Sequence, residues 1–451
     1  MDVVIVADGT WKGTGFKNLK FDGKAITVRS ENGPENCIID CEGEGKGFDF
    51  SSGEGKASEV SGFTITNASE GGIDCGYSSP TITNCIITGN NNTSYGGGGI
   101  DCGSTSSPTI INCVITGNTA EREGGGIYSG NTSDPPTITG CIISNNSASR
   151  GGGIYCGKAN ISNCTISNNF ASGNGGGVYC GDANITNCVI SNNTANDSGS
   201  DGGGIYCSGS PIVTNCTITD NSANNGGGGT DCYYSTITII NSILWGNTPD
   251  QIRYEDDSPP EIYYSDVQGG FSGMGNIDAD PLLGNDNHLK AGSPCIDAGT
   301  SEMDAPDTDI DGASRPQGSG HDIGADEASA DSPNDPSANA GSDQIVGDGI
   351  TLYGSKSFDP DGSIASYQWE LRHKTNSLHN KTVSGETVTV SDVKKGFYDV
   401  TLTVTDDSGA VNADEMFFSA TGDPMKEYDI SGDGKAGLAE VIYYLQILSG
   451  K

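Results

Sequence analysis

Between Gly72 and Asn247 the apolar positions fall in short alternating triplets, such as Thr81-Ile82-Thr83 and Ile86-Ile87-Thr88, with no 3.6-residue period. Alternation assigns the faces of each strand. Around Cys85, the side chains of Ile82, Cys85 and Ile87 point one way and those of Thr81, Thr83 and Thr88 the other, with Asn84 bending the chain. The same register recurs at Ile110, Cys113 and Ile115, and at Ile185, Cys188 and Ile190. These strands belong to a unit of about 27 residues that repeats seven times. Its first marker is Gly72-Ile73-Asp74-Cys75, and its later copies begin at Gly99, Gly126, Gly153, Gly177, Gly204 and Gly229. Its second marker is an asparagine six residues beyond the bend, at Asn90, Asn118, Asn146, Asn169, Asn193, Asn221 and Asn247.

A repeat of this length, built from short strands with Gly and Asn at its corners, predicts one turn of a parallel β-solenoid per unit. Gly and Asn tolerate the left-handed backbone that sharp corners need. Stacked turns should build ladders of Ile, Cys and Asn. With neighbouring strands about 4.8 Å apart, about ten turns would make a rod on the order of 50 Å long.

Composition adds to this picture. The chain has 69 glycines, 33% hydrophobic residues and a formal net charge of −37. Slender turns with small inward residues need little apolar mass, and no apolar run approaches the length of a membrane span. Only 22 lysines and arginines are present, which argues against a nucleic-acid partner and predicts repulsion of polyanionic glycans unless Ca²⁺ bridges them. Twelve of the 15 cysteines sit on two inward ladder positions, so most are expected to be buried free thiols. Cys37 and Cys41 are the foremost candidates for a disulfide, although their four-residue spacing also lets both face the core. No basic segment, apolar stretch or cleavage site precedes the strand-like Met1-Asp2-Val3-Val4-Ile5-Val6. A secretion signal is therefore not visible, and an N-terminal cap is expected to be missing.

Beyond Asn247 the repeat decays through Tyr263-Tyr264-Ser265-Asp266-Val267, Gly275-Asn276-Ile277-Asp278-Ala279-Asp280-Pro281, Gly292-Ser293-Pro294-Cys295-Ile296-Asp297-Ala298-Gly299 and Asp322-Ile323-Gly324-Ala325-Asp326-Glu327. With Ala25-Ile26-Thr27-Val28 and Ser61-Gly62-Phe63-Thr64-Ile65-Thr66-Asn67 upstream, these segments resemble bacterial right-handed parallel β-helix proteins of the pectin-lyase-like superfamily. More narrowly they resemble surface or secreted members with a choice-of-anchor segment and polymorphic-outer-membrane-type repeats. The resemblance implies a right-handed coil and a segment, 248–328, that finishes and caps it. Ser357-Phe358-Asp359-Pro360-Asp361-Gly362, Tyr367-Gln368-Trp369 and Tyr398-Asp399-Val400-Thr401-Leu402-Thr403-Val404 resemble a polycystic-kidney-disease (PKD) repeat, which implies an immunoglobulin-like sandwich with Trp369 in its core. In secreted bacterial proteins such modules serve as spacers or adhesion domains.

The last residues carry an oxygen-rich loop. Asp429, Ser431 and Asp433 offer side chains, Lys435 a carbonyl and Glu440 a bidentate carboxylate, with Gly434 at the turn. That spacing matches the six to eight oxygens Ca²⁺ takes, and it resembles half of a dockerin or EF-hand. Ser431 departs from the usual Asp or Asn, and Pro424 leaves little room for an entering helix. The bland alternative is a loop that only starts the following helix. The apolar face of that helix, Leu438, Val441, Ile442, Leu445 and Leu448, predicts a protein partner or an intramolecular one.

The expected fold is therefore all-β: solenoid repeats over 1–247, terminal coils and cap over 248–328, a linker at 329–337, a PKD-like sandwich over 338–421 and a small calcium module with one helix over 422–451.

The outward position of the glycine marker reads Asp74, Asp101, Tyr128, Tyr155, Tyr179, Tyr206 and Asp231. Stacked tyrosines one turn apart repeat near the rise of one sugar unit, so a polysaccharide or cell-surface glycan is expected to lie along Tyr128, Tyr155, Tyr179 and Tyr206. Otherwise the rings serve only to stack on one another. Asp74 and Asp101 are weak catalytic candidates. Stacked like charges favour a bound cation or a raised pKa, but no Lys, Arg or His occupies an equivalent position, and they also read as solvated carboxylates. The polygalacturonase signatures Asn-Thr-Asp, Gly-His-Gly and Arg-Ile-Lys are absent. His288 and His321 read as structural or exposed. The hydroxyl row Thr88, Thr116, Ser144, Ser167, Ser191 and Thr219 mixes Ser with Thr beside Ile86, Val114 and Ile142, which argues against a surface that orders ice.

The expected role is a secreted or cell-surface, non-catalytic adhesion or carbohydrate-binding protein attached through a Ca²⁺-dependent module. The alternatives are a polysaccharide lyase or glycoside hydrolase, and a purely structural stalk.

Overall fold

In a computed structural model, residues 2–420 are described apart from short stretches at 255–256, 285, 291, 304, 329–335, 342–343, 347–349, 360–362, 374–376, 392, 395 and 408–410. The chain divides into two compact units, the first over residues 1–329 and the second beginning at Ala330.

The first unit is a parallel β-solenoid. Two sheets of eleven strands and one of nine run its length, giving the roughly ten turns that the repeat predicts. The first sheet stacks Val28, Val60, Ile82, Ile110, Ile138, Ile161, Ile185, Val213 and Ile239 in strict register. The second does the same with Ile65, Ile87, Ile115, Ile143, Ile166, Ile190 and Ile218. Every one of these side chains is buried. A parallel strand with one face inward needs only one branched apolar residue per triplet, and a slip of one residue would expel the whole ladder. A fourth sheet of six two-residue strands, from Asn91–Asn92 to Ser222–Ala223, is absent from the sequence reading because two residues are too short to show alternation.

The corners follow the expected chemistry. Asn84, Asn112, Gly140, Asn163, Asn187, Asn215 and Asn241 all have left-handed backbone, with φ between +47° and +63°. At the glycine runs the constraint is space. A Cβ on Gly125 would lie 2.3 Å from the Gly152 carbonyl of the next turn, and one on Gly152 would lie 2.4 Å from that of Phe170.

The second asparagine of each turn forms a buried ladder. Asn90, Asn118, Asn146, Asn169, Asn193 and Asn221 each donate Nδ2 to Oδ1 of the next, at 2.9–3.1 Å. Each Nδ2 also donates to an aliphatic-strand carbonyl, as Asn118 does to Ile87 at 2.8 Å. This satisfies corner groups that would otherwise be buried without partners.

Thirteen cysteines are free and buried, in keeping with the ladder expectation. Cys37 and Cys41, the expected pair, are both free and face the core, the outcome their spacing also allowed. The disulfide lies instead between Cys207 and Cys232, on adjacent turns with Cα atoms 4.7 Å apart.

After Asp266–Val267 the chain runs back along the outer face of the second sheet. Gly324 N donates to the Asn241 carbonyl at 2.8 Å, Ala325 N to Thr217 Oγ1 at 3.1 Å and Asn187 Nδ2 to the Thr308 carbonyl at 2.6 Å. Ile243, Cys295 and Ile323 form a small core between the two layers. This cover buries the later part of the hydroxyl row, leaving Ser191 and Thr219 only 3% exposed each. A fully buried ion pair, Arg315–Glu327 at 2.6 Å, pins the segment, and Arg315 also donates to the carbonyls of Gly324 and Ala325.

The second unit is a β-sandwich. One sheet orders Gln344–Val346, Val411–Ala420, Gly396–Asp406, Ile364–His373 and Lys381–Ser384, and a second pairs Ile350–Tyr353 with Thr387–Val390. Trp369 is fully buried with Nε1 donating to the Gly385 carbonyl at 3.0 Å, the core role expected of it. Among the described residues no helix is long and apolar enough to cross a membrane. The expected calcium ligands Asp429, Ser431, Asp433, Lys435 and Glu440, and the helix after them, lie outside the described residues.

Candidate functional site

The third sheet carries the candidate site on its outer face. Its strands are two or three residues long, and in all but the last, Ile252–Tyr254, the residues on either side of the marker position are buried against the core, which leaves that position outward. In register the middle positions read Asp49, Asp74, Asp101, Tyr128, Tyr155, Tyr179, Tyr206, Asp231 and Arg253. The sequence reading found seven of these nine. Asp49 and Arg253 escaped it because Gly47-Phe48-Asp49-Phe50 keeps the glycine but has Phe in place of Ile and Cys, and Gln251-Ile252-Arg253-Tyr254 has lost both the Gly and the Cys that flag the other rungs. Their apolar–charged–aromatic pattern, one repeat length away, was the available signal.

The four tyrosines form one continuous stack. Ring centroids are 5.6 Å apart for Tyr128–Tyr155, 4.7 Å for Tyr155–Tyr179 and 4.8 Å for Tyr179–Tyr206, with interplanar angles of 18°, 18° and 32°. The rings thus cover one another's faces. A ligand along the rod meets the edges and hydroxyls of half-buried Tyr128, Tyr155 and Tyr179, whereas Tyr206 is only 7% exposed, and the stacking faces expected to receive sugars are occupied within the ladder. Burial raises the Tyr128 pKa and pushes those of Tyr155 and Tyr206 to about 12, so these hydroxyls remain neutral donors.

A second row borders the stack, contributed by residues just before the glycine runs. Glu123 and Arg150 form an ion pair, and the Arg150 guanidinium lies 5.7 Å from the centroids of both Tyr155 and Tyr179. Asn174 lies beside the Tyr206 hydroxyl, and Asp201 pairs with Arg253, whose Nε is 3.8 Å from Asp231. The sequence reading missed this row because its members share no residue type.

The acidic end departs from expectation. No basic residue stands at the marker position of the seven repeats, but Lys46, from the preceding turn, pairs with Asp74, and Lys20 pairs with Asp49 at 2.9 Å. Arg253 extends the same ladder at its other end. Asp101 stacks directly on Asp74, as expected. Burial, reinforced by the Asp74 charge, pushes the Asp101 carboxyl up to about 6, against the Gly103 N–H donating to Oδ1 at 2.8 Å. The pair therefore holds one lysine-paired carboxylate beside one that protonates in mildly acidic solution.

His288 lies in the segment laid over the second sheet, beside a cavity of about 420 Å³ lined in part by Asn163, Val189, Asp286 and Asp311. Its ring bridges Asp311 at 2.5 Å and Asp286 at 3.3 Å, with Asp326 close by. Asp311 foremost raises the His288 pKa to about 10. The imidazole is thereby favoured as a cation between the two carboxylates.

A family model described as "Right handed beta helix region" matches residues 4–186 and 156–301. These matches span more than half of the chain, and the protein belongs to that right-handed β-helix family. A second family model, described as a PKD domain, matches residues 340–417, the described sandwich. A solved structure is similar at 25% identity over 22% of this chain and 40% of its own, with a TM-score of 0.18. Its title reads "Structural basis for the promiscuous specificity of the carbohydrate-binding modules from the beta-sandwich super family". This chain spans less than half of that relative's length.

Proposed function

We propose that the outer face of the third sheet binds a neutral polysaccharide or cell-surface glycan lying along the rod, and that the protein is a secreted or surface-attached, non-catalytic adhesion protein. The observation that carries this reading is the tyrosine stack, whose 4.7–5.6 Å spacing keeps step with successive sugars. Ring edges and hydroxyls supply donors at each step, while the carboxylate, guanidinium and amide groups of Glu123, Arg150, Asn174 and Asp201 can bridge vicinal hydroxyls. A net charge of −37 disfavours a polyanionic ligand. The sandwich serves as a spacer. The C-terminal loop, by its sequence, serves as a Ca²⁺-dependent attachment to a protein partner.

A second reading has one observation in its favour. Asp101, with its carboxyl near 6, and lysine-paired Asp74 are two stacked acids in different environments, as glycan cleavage by acid–base chemistry requires.

The test is incubation of the protein with neutral and acidic polysaccharides, with and without Ca²⁺, recording chain length and co-migration. Intact neutral chains that co-migrate support the binding reading. Shortened chains replace it with the second, and intact chains that do not co-migrate leave a structural stalk.

A further inference from the structure

The two cysteine ladders differ in what their thiols touch. In the second-sheet ladder each thiol donates to the carbonyl two residues back: Cys85 to Thr83 at 3.2 Å, Cys113 to Ile111 at 3.3 Å, Cys164 to Ser162 at 3.1 Å and Cys188 to Thr186 at 3.2 Å. Where the ladder changes residue, Ser242 makes the same bond with its hydroxyl at 2.8 Å. These sulfurs serve as hydrogen-bonding groups at the corner.

The third-sheet ladder reads Cys75, Cys102, Ser129, Cys156, Cys180, Cys207 and Cys232, all buried. Its free thiols donate to no carbonyl among the described residues, and Cys75 meets Cys102 side chain to side chain. Cys156 is in register with Cys180, Cys180 with Cys207, and Cys207 with Cys232. Ser129 divides the ladder into a run of two and a run of four, so each run pairs between neighbours with none left over. Given the bond between Cys207 and Cys232, the neighbour remaining for Cys180 is Cys156. The 4.7 Å Cα separation of the existing pair falls within disulfide range; Cys156 and Cys180 repeat the same parallel register, and Cys75 and Cys102 directly follow the paired residues Asp74 and Asp101.

We infer that Cys75–Cys102 and Cys156–Cys180 close as disulfides alongside Cys207–Cys232, so that three covalent staples join successive turns beneath the outward Asp and Tyr row of the third sheet. Each new bond takes two electrons and two protons from a thiol pair. The acceptor is an oxidant of the disulfide class, such as oxidised glutathione, which leaves as two thiols after passing through a mixed disulfide. The attacking species is a thiolate. Burial pushes Cys156 to about 12 and Cys180 well up, so the bonds form while the turns are still assembling.

The test is oxidative refolding of the full chain in a glutathione redox buffer, followed by alkylation in denaturant, intact mass measurement and non-reducing peptide mapping. Nine of the 15 cysteines should alkylate, with Cys75–Cys102, Cys156–Cys180 and Cys207–Cys232 as the linked peptides. Thirteen alkylated cysteines, or a Cys180–Cys207 link, overturn the inference. A Cys180→Ser variant should expose Cys156 to alkylation and leave the other two links intact; a new Cys156 link to any other cysteine also overturns it. If refolding fails, the same count is made on the chain expressed into an oxidising medium.

Discussion

Asn118 and Asn146 are joined twice across neighbouring turns: the backbone amide and Nδ2 of Asn118 both donate to Oδ1 of Asn146, at 2.9 and 3.0 Å. A single side-chain oxygen thus holds two buried donors, and the arrangement repeats up the rod.

Asn146→Ala should leave both donors unsatisfied and also remove the bond from Asn146 Nδ2 to the Ile115 carbonyl. Each buried orphan costs about 1–3 kcal/mol, so a loss of about 3 kcal/mol or more is expected. Urea unfolding monitored by circular dichroism checks this, and an exposed control such as Asn184→Ala should change stability by less than about 0.5 kcal/mol.

Because the tyrosine rings cover one another, the hydroxyl is the group the ladder offers to a ligand. Tyr179→Phe should keep the stack yet weaken glycan binding nearly as much as Tyr179→Ala, by roughly five- to tenfold, for a lost hydrogen bond of about 1 kcal/mol. Affinity electrophoresis on the responding polysaccharide measures both. Full retention by the Phe variant would show that the hydroxyl plays no part.

Stability should rise as the pH falls from 8 to 5. Burial raises Asp322 to about 7 and Asp101, Asp266 and Asp326 to about 6, so the folded state binds these protons more tightly than the unfolded chain. Stability from such groups is lost as pH rises through the folded pKa. His288, raised to about 10, acts in the same direction. Asp40, lowered to about 2 by Lys12, acts oppositely and withdraws its contribution below about pH 4. Melting temperatures across this range should peak near pH 4–5, and Asp101→Asn should flatten the slope between pH 4 and 6.

Calcium should bind at the C-terminal loop with one site per chain. Calorimetric titration of the full chain after removal of metal by chelator should show it, and Glu440→Gln, which removes a bidentate ligand, should weaken it at least tenfold. Unchanged affinity in that variant would place the ion elsewhere.

Much of the solenoid was legible because its physics is local and periodic. Ile82, Cys85 and Ile87 announce inward positions by alternation, Asn84 announces a bend by its tolerance of positive φ, and stacking identical units places like on like. That was enough to predict the Asn and Cys ladders and the rank of Tyr128, Tyr155, Tyr179 and Tyr206. Asp49 and Arg253 were not legible because their rungs keep the backbone register while Phe48 and Phe50, or Gln251 and Tyr254, replace marker residues.

What the sequence determined by itself is the repeat, its inward and outward faces and the identity of most of the outward ladder, since each follows from strand period and corner chemistry within one turn. What only the tertiary structure decided is everything that depends on turns meeting, or on a distant segment meeting the coil. The tyrosines close their faces against each other, Lys46 reaches Asp74 from the turn before, Cys232 pairs with Cys207, and the segment carrying Thr308, Gly324 and Ala325 lies back over the second sheet around Arg315 and Glu327. The first three join residues one turn apart, where the period sets the register but not how the side chains orient, and the last rests on contacts that reach across more than 100 positions of the chain, which no period of 27 encodes.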